Sequence, residues 1–521
     1  MNVDLSGIDV IAADRIYVQE ARTKVKAYAE KFLESAILNT NPSNIAIGLQ
    51  VFYFLGELNV SIKNSINKVV SNHKREVKLL MELSSLEATH RKNRAKSNKQ
   101  GGDHSILPGR SSAKPTGVQL RKIMWQNFDV LINEKSMGCV RQVITLQKVL
   151  LRKRDPVTHS LYIESCEVQN FSQVVWKDFV GHICEALTIL GNKSPDARQY
   201  INEDYPSKLF KPLTELWEKS SATRDSLLAF NHTSMKPQKS KFESKFDRFE
   251  EIHDLDEDEM MLKNRNYNGM EDVKIAFKNF ENNYLARSLS RMFDEVESIW
   301  GLEEYGRSRW NVSDPDLDRL VGVMCEELAV SAVDSKLAIA ISKNIVKAIK
   351  KIKIEAENSL ATGSDARQLI APPTKDQTNN WCIVNTIWKL YQKCDDEFTK
   401  LGDGRQDYRT VVVLQALADH SKDWLPKVLE SLEDMLELVN TAITPLLYEI
   451  NQSIKSIIIT MHDEGDGVLA ESGSDVCLWS RELKEFVSRV VRDHFTTVRL
   501  GNDFFCKLTN FRISIGQRRM K

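Results

Sequence analysis

At 521 residues, with 42% hydrophobic and 28% charged side chains, the chain has the composition of a soluble globular protein. Its length suits roughly two to four domains on a prior of about 150 residues each. Lys+Arg and Asp+Glu are both 72, so there is none of the cation excess that a general nucleic-acid binder uses to displace phosphate counterions. The 22 glycines and 13 prolines are few for this length, and alternating apolar stretches are scarce, which favours helices over sheets.

The first helical stretch is predicted over about 8–38, with Ile16, Val25, Phe32 and Leu33 among its apolar positions. Asn41-Pro42 reads as the next helix start, a capping side chain followed by a proline whose missing N–H costs nothing there. That helix carries GLQVFYFLGEL (48–58) and is expected to continue to about 90. In Phe52-Tyr53-Phe54-Leu55 the apolar side chains point around more than one face. A helix greasy on several sides is either fully packed or docked on another chain, so these four are the candidate partner-contact residues. Segment 1–90 is accordingly expected as a helical rod segment.

Segment 91–118 is expected to be a disordered linker, polar and rich in glycine and proline, with too little apolar surface to offset chain entropy. Helix returns at 119–151 with Ile123, Leu131, Val143, Leu146 and Leu150, and Arg154-Asp155-Pro156 breaks it before a short extended piece at 157–163. Two or three helices are predicted within 171–230. A weak segment at 234–262, turning from basic to acidic, reads as a loop, and one helix is predicted over 270–299. The span 119–300 is thus expected as one helical bundle, followed by a loop at 301–312.

Ser313-Asp314-Pro315-Asp316 is a second strong start signal, and the helix it opens is expected to reach Ser359. Another helix is predicted over 376–400, then a very long one over 408–461, bent at Pro445, and a last one from Asp475 to about 500. In the long helix apolar residues recur from Leu425 to Met461 in ten steps over 36 residues, the 3.6-residue helical repeat. Unbroken, that stretch measures about 54 Å. The C-terminal bundle is therefore 313–521, and the fold class is all-α, an elongated rod of stacked helical bundles.

No template for chemistry is met. The chain has no G-x-x-x-x-G-K-[ST], no G-x-S-x-G and no H-E-x-x-H. His182 and Cys184 lie two apart, which on a helix sends them to opposite sides. Asn264, Asn266, Asn268 and Gly269 imitate an EF-hand opening, but Ile275 stands where the bidentate glutamate belongs. The eight cysteines never come closer than twelve residues and form no C-x-x-C, as in a chain of a reducing compartment. No run of 18 apolar residues offers a membrane span. Catalytic, cofactor and metal residues are all expected to be none.

Several stretches together resemble subunit 5 of the conserved oligomeric Golgi complex: LSGIDVI (5–11), TNPSNIAIGLQVFYFLGEL (40–58), LQKVLLRKRDPVTH (146–159), YLARSLSRMFD (284–294), LAVSAVDSKLAIAISKNIVKAI (328–349) and IIITMH (457–462). They occur in that family's order. The resemblance implies a non-catalytic subunit of a vesicle-tethering complex, built from helical rods like other tethers of that kind and acting in intra-Golgi retrograde transport and so in glycosylation. It implies the other subunits as partners, subunit 7 above all. SNAREs, Rab GTPases and coiled-coil tethers would be met indirectly, at the cytosolic face of the Golgi membrane. The family has a further helical region ahead of LSGIDVI and a longer C-terminal end, so a chain shortened at both ends is expected. The rival expectation is a helical scaffold or adaptor of another cytosolic trafficking pathway.

Overall fold

The computed structural model describes residues 9–100, 115–155, 159–165, 171–233, 268–301, 308–369, 372–403, 417–463 and 478–495. Among them the fold is all-α, and β pairing is confined to one isolated antiparallel bridge between Arg154 and Leu161. The chain packs as two units, 1–283 and 284–521.

In the first unit, α1 (Asp9–Leu38) turns into α2 (Pro42–Phe54) through a tight cap. The Asn41 N–H donates to Ala36 O and the Thr40 N–H to Ile37 O, with Thr40 held at a φ of 50°. Asn41 Oδ1 then accepts from the Asn44 N–H at 3.2 Å, so the predicted start signal works as read. Gly48 lets the two helices close: a Cβ there would lie 3.1 Å from Leu33 Cδ1.

The single helix expected from Pro42 to about 90 is three. After α2 come α3 (Leu58–Met81) and α4 (Leu83–Gln100). Gly56, at a φ of 68°, ends α2 with the two reverse bonds of a glycine cap, Gly56 N–H to Tyr53 O and Glu57 N–H to Phe52 O. Glu82 steps into extended backbone at ψ 136° between α3 and α4. Helical backbone thus continues through residues 91–100 of the expected linker, and 101–114 lie outside the described residues.

α5 (Gly117–Val130) runs through a π-turn, Leu131–Ser136, into α6 (Met137–Arg152). α6 packs on α1, α2, α3 and on two later helices, α7 (Phe171–Lys193) and α9 (Lys211–Thr233), and so forms the middle of the unit. Its Val143, Ile144 and Leu150 meet Leu33, Leu49 and Phe52 in one apolar core. Between α7 and α9 lies α8 (Pro195–Glu203), capped by Ser194 Oγ accepting from the Ala197 N–H at 3.2 Å.

The helix predicted over 270–299 is two, α10 (Gly269–Ala276) and α11 (Lys278–Trp300), separated at Phe277. Asn268 and Gly269, the end of the EF-hand-like run, serve packing instead. Asn268 Oδ1 accepts from the Met270 N–H, the Trp176 indole N–H donates to Gly269 O at 2.9 Å, and a Cβ on Gly269 would fall 2.5 Å from Trp217 Cζ3. The weak segment 234–262 lies outside the described residues.

In the second unit, Ser313 caps α12 (Asp314–Ser331) as expected, but that helix does not reach Ser359. Asp334 starts a new one, α13 (Ser335–Ser359), by accepting the Leu337 N–H at 3.2 Å. α14 (Lys375–Asp403) follows, then α15 (Ser421–Asp463), which contains Pro426 and Pro445, and α16 (Leu478–Val490). The stripe read from the sequence is the packed face of α15: Val428, Leu432, Met435 and Val439 are at most 1% exposed, against α13 and α14. Beyond Pro445 burial thins, and Leu447, Tyr448, Ile458 and Ile459 face solvent. Buried Glu327 ties the unit's helices by accepting the Tyr284 hydroxyl at 2.9 Å and Arg291 at 2.8 Å. Where 119–300 was expected as one bundle, these contacts place α11 from Tyr284 onward with the second unit.

Candidate partner-contact surface

Three consecutive helical residues and the C-cap that follows them, each about 100° round from the last, cannot share a fate. The structure separates Phe52, Tyr53, Phe54 and Leu55 accordingly. Phe52 is 1% exposed and belongs to the core under α2, with Leu49 and Ile45 one and two turns before it. Tyr53 is half-buried and turned to the chain that follows α6. Its ring stacks on Tyr162 at 5.3 Å, and a side-chain hydrogen bond to Asp155, aided by burial, raises its hydroxyl to about 12. Asp155 comes from the LQKVLLRKRDPVTH stretch, so two of the quoted segments meet here. Leu55 is half-buried at the helix end, where the Arg22 guanidinium donates to its carbonyl at 2.7 Å.

Phe54 alone of the four looks outward, 68% exposed. Ile47, 54% exposed, lies seven residues earlier on the same side, with half-buried Val51 between them. Ile47 and Phe54 thus form an apolar strip on the outer side of α2, bridged by Val51, whose half-buried side chain packs against the core. Just beyond Phe54, Glu57 receives Lys26 at 2.7 Å and Arg22 at 3.2 Å, and both contacts keep the carboxyl below its usual range. This is a surface suited to binding rather than to bond-making.

Sequence inspection missed a buried polar chain in the same unit. His73 on α3 is fully buried. Its Nε2 is 3.0 Å from Ser136 Oγ in the π-turn, its Nδ1 is 3.4 Å from His182 Nδ1 on α7, and its ring stacks on Phe179 at 4.0 Å. Burial first, and the second imidazole next, depress His73 to about 3. His182 is lowered as well, chiefly by burial. A histidine pair kept neutral by burial joins α3 to α7, with the Ser136 hydroxyl on one side of it and Asp178 and Glu185 near His182. Cys184 points elsewhere, its thiol donating to Ala276 O at 3.1 Å. Burial pushes the thiols of Cys139 and Cys325 up to about 11 and about 12, which makes them poor nucleophiles. Among the described residues no group of three His, Cys, Asp or Glu is placed to hold a metal, and no helix is long and apolar enough to cross a membrane. Asn264 and Asn266 lie outside those residues.

Residues 5–217 match the family described as "Conserved oligomeric Golgi complex subunit 5, C-terminal". The match takes in the α1–α2 hairpin and most of the first unit. Among curated relatives, conserved oligomeric Golgi complex subunit 5 of Mus musculus is 29% identical over 508 residues, covering 95% of this chain and 56% of the relative. The protein of the same name from Arabidopsis thaliana is 23% identical over 520 residues, 96% of this chain and 54% of the relative. That from Dictyostelium discoideum is 25% identical over 175 residues, 31% and 19% of the two chains. The chain therefore spans about half the length of the first two relatives. No solved structure matches it significantly.

Proposed function

We propose that this chain belongs to the family of subunit 5 of the conserved oligomeric Golgi complex and is a non-catalytic subunit of a multisubunit vesicle tether at the Golgi. Its work is intra-Golgi retrograde transport, and glycosylation depends on it through the placing of Golgi enzymes. Tethering breaks no bond. It requires stiff elements, several modest contacts, and avidity from an assembly. The partners are the other subunits of the complex, subunit 7 foremost. SNAREs, Rab GTPases and coiled-coil tethers are reached through the assembled complex, with the chain peripheral at the cytosolic face of the Golgi membrane.

The observation that carries this reading is the outward pair Ile47 and Phe54 on a helix whose Ile45, Leu49 and Phe52 are already buried in the core. Burying an exposed phenylalanine on a partner contributes about 1.5–3 kcal/mol, roughly ten- to a hundredfold in affinity. Phe54→Asp in the full chain is expected to cut co-purification of sister subunits by that order while the melting temperature holds. Undiminished recovery of those subunits would remove the strip from the interface.

A further inference from the structure

A second apolar face, on α1, has a regularity that the strip on α2 lacks. Val18, Val25 and Phe32 recur every seven residues, and Ala21 and Tyr28 fall three beyond the first two. All five are exposed, with Val18 at 65%, Val25 at 47%, Tyr28 at 75% and Phe32 at 41%. Alternate spacings of three and four, kept through two heptads, are those of a helix-pairing seam rather than of a broad core-facing stripe. The seam runs about 21 Å along the helix from Val18 to Phe32. The core-facing side of α1 is separate, made by Ala29, Leu33, Ala36 and Ile37.

The edges of the seam decide what it can receive. On one edge lie Arg22, Ala29 and Ala36. Arg22 is engaged with Glu57 and the Leu55 carbonyl, and both alanines are buried, so this edge is closed by the chain itself. Tyr17, Lys24 and Lys31 form the other edge, all exposed. Among the described residues of this helix, Arg22 and Lys26 pair with Glu57 and Glu34 with Lys68, while Lys24 and Lys31 are exposed beside the seam. Glu20 lies one row further round, off the edge.

We infer that this face of α1 docks a helix of a different polypeptide, one with an apolar heptad seam and Asp or Glu along the edge that meets Lys24 and Lys31. A second copy of this chain is the wrong occupant. Laid antiparallel, it would bring Lys24 and Lys31 against their own counterparts. Laid parallel, it would have to offer the Arg22–Ala29–Ala36 edge, where both alanines are buried in its own core and Arg22 is held by Glu57. Charge at the flanking positions of paired helices sets the choice of partner, and here it selects an acidic one. A seam of two heptads is a modest contact, suited to one of several weak joints in an assembly.

The test places the photo-crosslinker p-benzoylphenylalanine at position 28 of the full chain in cells and sequences the crosslinked peptides by mass spectrometry. The expected product is a discrete adduct to a different polypeptide, in a segment with the three–four apolar spacing and acidic residues on its facing edge. Lys24→Glu with Lys31→Glu should lower the adduct yield about tenfold, whereas Lys24→Arg with Lys31→Arg should preserve it. Absence of an adduct overturns the inference. So does an adduct to a second copy, to another segment of this chain or to a segment without the acidic edge, and so does a yield indifferent to the charge reversal. Loss of subunit recovery through Phe54→Asp alone bears on the α2 strip, and the adduct at position 28 is read separately from it.

Discussion

Phe52 and Phe54 are chemically identical, two residues apart, and set in opposite surroundings, which makes them a controlled pair. Phe52→Ala removes a ring that is 1% exposed and touches the cores of both α2 and α6. Such a truncation costs about 3–5 kcal/mol, the transfer of the ring plus the cavity it leaves. Each kcal/mol lowers the melting temperature of a domain of this size by about 2–4 °C, so the first unit should melt roughly 10 °C earlier. Phe54→Ala removes a ring that is 68% exposed, and its effect should stay within about 0.5 kcal/mol. Calorimetry on the two variants, with hydrogen exchange of α2 and α6 to place the loss in the first unit, makes the comparison. Equal destabilisation by both, or a larger loss at Phe54, would refute the assignment of an inner and an outer face on α2.

Buried His73, set against half-buried His182, makes the first unit acid-sensitive. The folded form holds His73 at about 3 against an ordinary value of 6.5, so the unfolded chain binds more protons between those values. The stability contributed is complete above about pH 6.5 and falls by up to about 1.4 kcal/mol per pH unit as pH drops toward 3. Urea titrations should show that slope flattened in His73→Phe; an unchanged slope would mean the imidazole protonates freely. Glu327→Ala strips the buried acceptor from Tyr284 and one of two acidic partners from half-exposed Arg291 and should destabilise the second unit by about 1–3 kcal/mol, read as an earlier unfolding transition of α11–α13. Gly269→Ala forces a methyl to within 2.5 Å of Trp217 and should cost about 1–3 kcal/mol, with the tryptophan fluorescence of the Trp176–Trp217 pair shifting in step. No fluorescence change would show that the α10 start gives way without disturbing the rings.

Local chemistry was legible in the sequence wherever the deciding atoms are neighbours in the chain. Asn41-Pro42 and Ser313-Asp314-Pro315 begin helices because a side-chain oxygen and a pre-set φ act within one turn. The long apolar repeat of α15 needed only its own period. The interruptions at Gly56, Glu82 and Asp334 were read through, since each sits inside a run whose apolar spacing continues on both sides. Gly56 could have been caught, being a glycine just past an apolar helical run, the usual place for a left-handed cap. The site was legible only as a cluster. Which of Phe52, Tyr53, Phe54 and Leu55 faces outward depends on Asp155 and Tyr162, which come from the chain beyond α6, and no local rule reaches that far. The seam on α1 was there to be read in the seven-residue return of Val18, Val25 and Phe32. Its meaning depended on exposure, which only folding supplies.

The central claim is that the chain works as one member of a hetero-oligomeric tether. The most direct test is the native mass and subunit composition of the assembly isolated through a tag on the full chain in cells. The account predicts a hetero-oligomer holding this chain together with other subunits of the conserved oligomeric Golgi complex, and its partial dissociation when Phe54 becomes aspartate. Recovery of the chain alone, or only with copies of itself, would contradict it.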